Sequence, residues 1–271
     1  MNSIKYQKYA ASFLIGLQSS LEYRFEFFMG IISTLFPILI QVFLWYAIYS
    51  GTGQNAMYGY NFSQMLAYVA IAGAVGKFVV TGVENTVNDD IHTGGLAAYI
   101  VKPVMYIPFR LMQAIGQKIA SAVTMLIFTA ASLAVLRFAA GFEIKPYAVC
   151  LFAAALPLAM LMNFFIFFIV SISAFWLTES GRFFHALQVI IMVASGGVFP
   201  ITVFGNTYTA VSRFLPFQYT SYFPISVMTG ALTAADILTG ILVQLVWIGV
   251  LASLANILWR VGLKRYVAVG G

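Results

Sequence analysis

Long apolar blocks alternate with short charged connections along this chain. Six blocks contain no Asp, Glu, Lys or Arg, and they cover residues 27–49, 63–76, 119–136, 147–178, 183–212 and 237–259. A helix needs roughly 20 apolar residues to cross about 30 Å of hydrocarbon. The second block reaches this length if its helix continues past Lys77 toward Val83, and the third if it begins near Lys118. The pattern predicts an all-α integral membrane protein with six transmembrane helices.

Residues 1–25, before the first block, show a helical period with two different sides. Apolar side chains recur every three or four residues, at Tyr6, Ala10, Phe13, Leu17 and Leu21. Polar side chains occupy the other side, at Lys5, Lys8, Ser12, Ser19 and Glu22. This pattern predicts an amphipathic helix that lies in the cytoplasmic interface of the membrane. The alternative is a simple cytoplasmic extension of the first span.

The connection after the second block is the only sizeable one predicted on the cytoplasmic side. Residues 84–118 hold three of the eight acidic residues, a glycine pair and two prolines. Carboxylates are favourable helix caps, and glycine and proline interrupt helices. We therefore expect a short helix in this connection, with Asp89 or Asp90 as its cap.

The region after the fifth block is apolar but interrupted. Within residues 195–230 the sequence places Pro200, Pro216, Pro224 and several glycines, which one straight helix does not accommodate. We predict short helices that enter the outer leaflet and return, over residues 198–232, because irregular backbone at membrane depth is tolerated where protein buries it. The whole chain, residues 1–271, is predicted to be a single transmembrane domain.

Composition excludes a water-soluble protein. Hydrophobic residues make up 62% of the chain, the mean hydropathy is +0.93, and charged residues make up only 8%. A soluble domain of this size would expose far too much apolar surface with that composition.

Basic residues are distributed asymmetrically in the predicted topology. Eleven of the 14 lie on the cytoplasmic side: Lys5, Lys8, Arg24, Lys77, Lys102, Arg110, Lys118, Arg182, Arg260, Lys264 and Arg265. The other three lie outside: Arg137, Lys145 and Arg213. Because cytoplasmic loops carry an excess of Lys and Arg, this bias predicts a plasma or inner membrane protein with both termini cytoplasmic. Anionic lipid headgroups account for the net charge of +6 without a nucleic-acid partner.

The patterns that catalysis requires are missing from the sequence. It contains no GxxxxGK[ST] phosphate loop, no HExxH, no GxSxG and no Cys/His cluster, so we predict no catalytic residue and no metal ligand. His92 and His185 lie in separate predicted loops and are interpreted as ordinary polar groups. All eight acidic residues fall at or beyond the predicted span ends. This disfavours an ion-coupled transporter, which places an acidic residue within a span.

Three segments together resemble one family of membrane proteins. They are HTGGLAAYIVKPV (residues 92–104), LPFQYTSYFPISVMTG (residues 215–230) and LWRVGLKRYVAVGG (residues 258–271). The chain resembles the membrane subunits of type-2 ABC exporters, in the six-span branch related to antibiotic, drug and lipid exporters. That branch carries a G-x-L-x-x-x-[IL]-x-[KR]-P loop. The resemblance covers nearly the whole chain, and the matching features follow the same order along the sequence.

The resemblance implies a coupling loop at residues 84–110, which docks on a separate nucleotide-binding subunit. The positions carried over are Asp89, Asp90, Gly95, Leu96, Ile100, Lys102 and Pro103. Leu96 and Ile100 are expected to share the docking face of a short coupling helix. The family implies no substrate-contacting residue that we could name here, and the substrate-binding residues stay unknown.

The resemblance also implies partners and a function. ATP and Mg²⁺ would bind to partner ATPase subunits, so no cofactor is expected on this chain. A second permease, related or identical, would complete the pathway for a hydrophobic or amphiphilic drug, antibiotic, lipid or peptide. The alternatives are a secondary transporter or channel, and an integral-membrane enzyme acting on lipids. Co-purification with an ATPase would distinguish the ATP-driven exporter from these two alternatives.

Overall fold

The computed structural model describes residues 2–22, 24–101, 104–140, 146–177 and 180–266. In these ranges the chain forms α1 Asn2–Glu22, α2 Arg24–Thr52, α3 Phe62–Val79, α4 Val83–His92, α5 Ala97–Ile100, α6 Tyr106–Ala140, α7 Pro146–Ser171, α8 Gly181–Ala194, α9 Asn206–Ser212, α10 Tyr222–Met228 and α11 Ala234–Leu263. Short 3-10 helices cover Ile172–Phe175, Ile201–Phe204 and Phe217–Thr220. A small antiparallel hairpin joins α2 to α3 through β1 Ala56–Met57 and β2 Tyr60–Asn61.

Four stretches of the described residues are long and apolar enough to cross a membrane: Leu35–Thr52, Phe62–His92, Pro146–Phe175 and Ala234–Leu263. α6 provides a fifth if its two halves, bent by 42° around residue 120, form one span. The prediction of six spans is not confirmed at the fifth apolar block, residues 183–212. There α8 ends at Ala194 after 14 residues, about 21 Å of helix, because two glycines and Pro200 follow it.

The core of the molecule is formed by α3 and α7. Their largest fully buried side chains include Tyr68, Phe164 and Phe168. α3 contacts α2, α6 and α10, while α7 contacts α4, α10 and α11. The outer faces of α2, α8, α11 and the second half of α6 leave large apolar side chains exposed. Such faces suit a hydrocarbon solvent, which removes the cost of exposing them.

Two of the central helices begin with sequence signals that fix their first turn. α3 starts with a capping box in which the Asn61 side chain accepts from the Gln64 amide at 2.8 Å and Gln64 reaches back to the Asn61 amide. α11 repeats the device with Thr233 and Asp236. Each box satisfies two amides that a helix start would otherwise leave without partners.

The N-terminal helix α1 packs along the first half of α6. The Ser12 hydroxyl donates to the carbonyl oxygen of Phe109 at 2.7 Å. A Cβ added to Gly16 or to Gly116 would overlap a backbone carbonyl oxygen of the other helix, so the two backbones touch. The predicted polar face is therefore wrong at Ser12, which is buried, and the predicted apolar face is wrong at Ala10, which is exposed. Small side chains at the helix contact decide the orientation of α1, not its hydrophobic period.

Residues 195–230 fold into short helices joined by tight turns. Gly196 has a φ of +79°, a left-handed conformation that favours glycine, and its carbonyl oxygen accepts from the buried Tyr68 hydroxyl at 2.5 Å. The amide of Tyr222 donates to the Ser195 carbonyl oxygen at 2.9 Å, and α10 is buried against α3 and α7. Protein therefore encloses the second half of this segment, residues 216–229, whereas Phe204, Val211 and Phe214 in its first half are exposed. The position of the segment within the outer leaflet stays a prediction.

Candidate functional site

The predicted coupling loop is built on α4 and the turn that follows it. α4 ends at His92, and the chain reverses at Gly94, whose φ is +79°. That left-handed conformation favours glycine, so the turn requires Gly94. The Leu96 amide donates to the Asp90 carbonyl oxygen at 2.8 Å, which closes the turn before α5 begins.

An ion pair joins the end of α4 to the start of α6. The Asp90 carboxylate accepts from the Arg110 guanidinium and from the Tyr106 hydroxyl. The side chains of Arg110 and Asp90 are only 7% and 15% exposed. Another guanidinium nitrogen donates to the Gln113 side-chain oxygen at 2.6 Å, and Nε donates to the Tyr106 oxygen at 3.2 Å. Because its donors find partners inside the protein, the pair is a fixed connection, unlike an exposed ion pair.

Aromatic rings surround the same guanidinium. Its central carbon lies 5.0 Å from the Tyr99 ring centroid and 5.4 Å from that of Tyr106, within the range of cation–π attraction. Tyr106 also stacks on Trp259 of α11, with centroids 4.6 Å apart and planes 4° from parallel. We call Asp90, Tyr99, Tyr106, Arg110 and Trp259 the Arg110 cluster. It packs α4, α5, α6 and α11 against one another.

A second contact holds α4 to the start of α8. The Ser180 hydroxyl donates to the side-chain oxygen of Asn88. The Nε2 atom of His92 lies 3.3 Å from the same hydroxyl oxygen. α4 therefore contacts α6 through Asp90 and the start of α8 through Asn88. His92 takes part in the second contact as an ordinary polar group.

The predicted acidic and flanking residues of the loop differ in their surroundings. Asp89 is exposed, whereas Asp90 belongs to the Arg110 cluster. Both lie in the last turns of α4, and α5 begins without a side-chain cap, so the prediction that either caps a short helix is wrong. Gly95 is half-buried beside the Asp90 carboxylate. Lys102 and Pro103 lie outside the described residues.

The two predicted apolar docking residues do not share an exposed face. Leu96 is 1% exposed and packs in the core, whereas Ile100 is 55% exposed. The expectation that both face a partner is therefore wrong for Leu96. Ile100 instead has Val101 and Met105 as exposed neighbours, at 81% and 57%. We call Ile100, Val101 and Met105 the apolar patch.

A groove of about 500 Å³ opens beside the apolar patch. Ile100 and Met105 line one wall, and Asn256 and Arg260 of α11 line the other. Its volume falls in the range of about 300 to 1,000 Å³ that is typical of pockets for small molecules. The loop thus combines exposed apolar side chains with an adjacent cavity.

Residues 35–270 match a family model described as ABC-2 family transporter protein. The chain belongs to the ABC-2 family. The matched range includes the apolar patch and the whole Arg110 cluster. Membership makes the chain a multi-pass transmembrane permease component, which is not the catalytic part of its transporter. No curated protein and no solved structure matches the chain.

The loop of this ABC-2 chain presents apolar and charged side chains at its surface. Among the described residues, no group of three or more His, Cys, Asp or Glu side chains could hold a metal ion. Arg260 is exposed and lines the same groove as Ile100 and Met105. An apolar centre with charge at its rim is typical of protein interfaces.

Sequence reasoning missed most of the Arg110 cluster in this ABC-2 chain. Tyr106, Arg110 and Gln113 are four and three residues apart, a spacing that brings side chains together on a helix, so this part could have been found. Trp259 carries no local signal, because it reaches the cluster only through the packing of α11 on α7. The exposed Met105 was overlooked because it adjoins a proline-rich segment.

Proposed function

We propose that this chain is the permease of an ATP-driven exporter and forms half of the pathway for a hydrophobic or amphiphilic substrate. A separate ABC ATPase would bind ATP and Mg²⁺ and supply the energy. Family membership supports association with such ATPase subunits. The observation that carries the proposal is the apolar patch, which lies exposed on a loop that a buried ion pair holds in place.

The Arg110 cluster supports a route for transmitting movement from the loop into the membrane. A partner that docks on Ile100 and Val101 would push on α5, whose Tyr99 packs on Arg110 and Tyr106. Tyr106 stacks on Trp259 of α11. Because packed aromatic and ionic contacts resist deformation, the loop, α6 and α11 would move together. The buried pair would in this way convert docking into displacement of a span.

Charge substitutions in the apolar patch test ATPase docking. Ile100→Asp and Val101→Asp place a carboxylate where an interface would desolvate it, and an unpaired buried charge costs several kcal/mol. We expect at least a tenfold loss of ATPase retained on the purified permease, since 1.4 kcal/mol already corresponds to tenfold. The assay co-expresses the chain with ABC ATPases of its source genome and quantifies the ATPase that co-purifies.

Tyr58→Asp is the matched control for this test. Tyr58 is exposed in the β1–β2 hairpin, and its φ of +55° is a conformation that Asp tolerates. It should retain ATPase at the wild-type level. Retention by the patch variants at that level, or no retention by the wild-type chain, would contradict the docking proposal. Transport by the chain without any ATPase would support a secondary transporter or channel instead.

A second permease, identical or related, is the other proposed partner. α2 supports it, because Leu39 lies on an exposed apolar face of this helix, only 11% of whose membrane-crossing window is buried. In a symmetric pair the same surface meets itself. Leu39→Cys in a Cys150→Ser background should then cross-link two permeases in the membrane. The same change at the exposed Leu242 of α11 is the control, and equal cross-linking at both positions would contradict pairing through α2.

A further inference from the structure

An apolar groove runs along the outside of the molecule between the second half of α6 and the first half of α7. Its volume is about 710 Å³. Met125, Leu133 and Phe138 line it from α6, and Phe152 and Leu156 line it from α7. A second cavity of about 330 Å³ shares three of its lining residues, Phe78, Ala122 and Pro157. The two spaces therefore lie next to each other along α6 and α7.

One polar group lies buried in the middle of this groove without a partner. Thr129 is 5% exposed and lines the groove, and its hydroxyl oxygen makes no hydrogen bond within the part of the chain that the structure describes. A buried hydroxyl that lacks a partner costs free energy. An occupant with an acceptor at this level would remove that cost.

A positive charge lies at one end of the groove. Arg137 lines it and is exposed, and in the described part of the chain its guanidinium forms no ion pair. Thr129, Leu133 and Arg137 are four residues apart and so occupy one face of α6. Thr129 and Arg137 are separated by about 12 Å along the axis. Because helical side chains lean toward the N-terminus, the guanidinium approaches Thr129 more closely than the Cα atoms do.

We propose that this groove binds a glycerophospholipid with an anionic headgroup. Arg137 would hold the phosphate, and the Thr129 hydroxyl would donate to an ester carbonyl. An acyl chain would follow the apolar walls past Ala122 toward the second cavity. Along α6, from its C-terminal end, the cation comes first, then the hydroxyl, and then the apolar part of the groove. A glycerophospholipid has the same order of matching groups: phosphate, ester and acyl chain.

Charge and shape favour this occupant over a helix of a second permease. A helix with its side chains is about 10 Å wide or more, whereas the adjoining cavity holds only about 330 Å³, which a single flexible chain can fill. A phospholipid supplies both the anion and the chain. The proposal does not depend on an ATPase, so it can fail while the proposed transport function stands.

Lipid retention by the full chain tests the proposal. The purified, delipidated chain is equilibrated in detergent with dioleoyl phosphatidylglycerol and dioleoylglycerol, which share their chains and esters but differ in the phosphate. Native mass spectrometry then counts each lipid bound per chain. We expect at least a tenfold preference for phosphatidylglycerol, since a charge-assisted contact discriminates by about this factor.

Three variants should give three different signatures. Arg137→Gln should abolish the preference for phosphatidylglycerol. Thr129→Val, which keeps the shape, should weaken retention of both lipids equally. Ala153→Trp fills the groove from α7 and should remove both. The matched controls are Arg213→Gln, another exposed arginine, and Ala154→Trp, an exposed neighbour of Ala153 that does not line the groove.

Several outcomes would overturn the assignment. Equal retention of the two lipids by the wild-type chain would remove the role of Arg137. Equal lipid loss from Ala153→Trp and Ala154→Trp would mean that lipids contact the whole membrane-facing surface without specificity for the groove. A change from dimer to monomer in Ala153→Trp, with lipid retention unchanged, would make the groove a subunit interface. If Ala153→Trp fails to fold, Thr129→Val and Arg137→Gln still decide, and wild-type behaviour in both would refute the proposal.

Discussion

Removing the charge of Asp90 should destabilise the loop, because Arg110 would stay buried without its counter-ion. Breaking a buried ion pair by changing one partner costs about 3 to 5 kcal/mol, and both side chains here are largely buried. Gln113 and the two tyrosine rings keep part of the guanidinium satisfied. We therefore expect Asp90→Asn to lower the free energy of unfolding by about 3 kcal/mol, at the lower end of that range.

A double-mutant cycle measures the interaction itself. Asp90→Leu and Arg110→Met together replace the pair by apolar side chains, a change that is often neutral or stabilising. We expect the double variant to lose at least about 2 kcal/mol less than the sum of the two single variants. Unfolding of the purified chain in mixed micelles, titrated with sodium dodecyl sulfate and followed by tryptophan fluorescence, gives the four free energies.

The exposed neighbour of Asp90 provides the control. Asp89→Asn should change the free energy of unfolding by no more than about 0.5 kcal/mol. Additive single effects, or a loss below about 1 kcal/mol for Asp90→Asn, would refute the conclusion that the Arg110 cluster fixes the loop.

Three further predictions concern other parts of the chain. Gly16→Leu or Gly116→Leu should separate α1 from α6, because a side chain at either position would overlap backbone, and limited proteolysis should then cut α1 faster than in wild type. Tyr68→Phe leaves the Gly196 carbonyl without its donor and should lower the free energy of unfolding by about 1 to 3 kcal/mol, whereas an unchanged value would mean that the bond contributes nothing. If residues 198–232 return to the outside, cysteines replacing Asn206 and Asp236 should both react with an impermeant reagent added there, and cytoplasmic labelling of Asn206 would indicate an extra span.

The apolar helices could be predicted from the sequence because a long run without charged residues directly indicates a hydrocarbon environment. Charge-free blocks correspond to α2, α3, the second half of α6, α7 and α11. The fifth block, residues 183–212, does not form one continuous helix, because hydropathy records polarity and not backbone continuity. Gly196 and Pro200 end the helix within a segment that is apolar throughout.

The loop was predicted only in part, because its geometry depends on residues far away in sequence. The resemblance implied a shared docking face for Leu96 and Ile100, but α5 has only four residues, about one turn, and Leu96 precedes it and is buried. The burial of Leu96 follows from how the loop packs onto α6 and α11. No local pattern could show that Trp259 stacks on Tyr106.

The close backbone contact between α1 and α6 makes the N-terminal helix a reporter of the loop. Ser12 bonds to Phe109, 97 residues away in sequence and adjacent to Arg110. At Gly16 and Gly116 the two backbones approach each other without an intervening side chain. α1 and the first half of α6 should therefore move together as one rigid unit. A fluorophore on the exposed side of α1, at Leu14, would record displacement of the loop without touching the surface on which a partner docks.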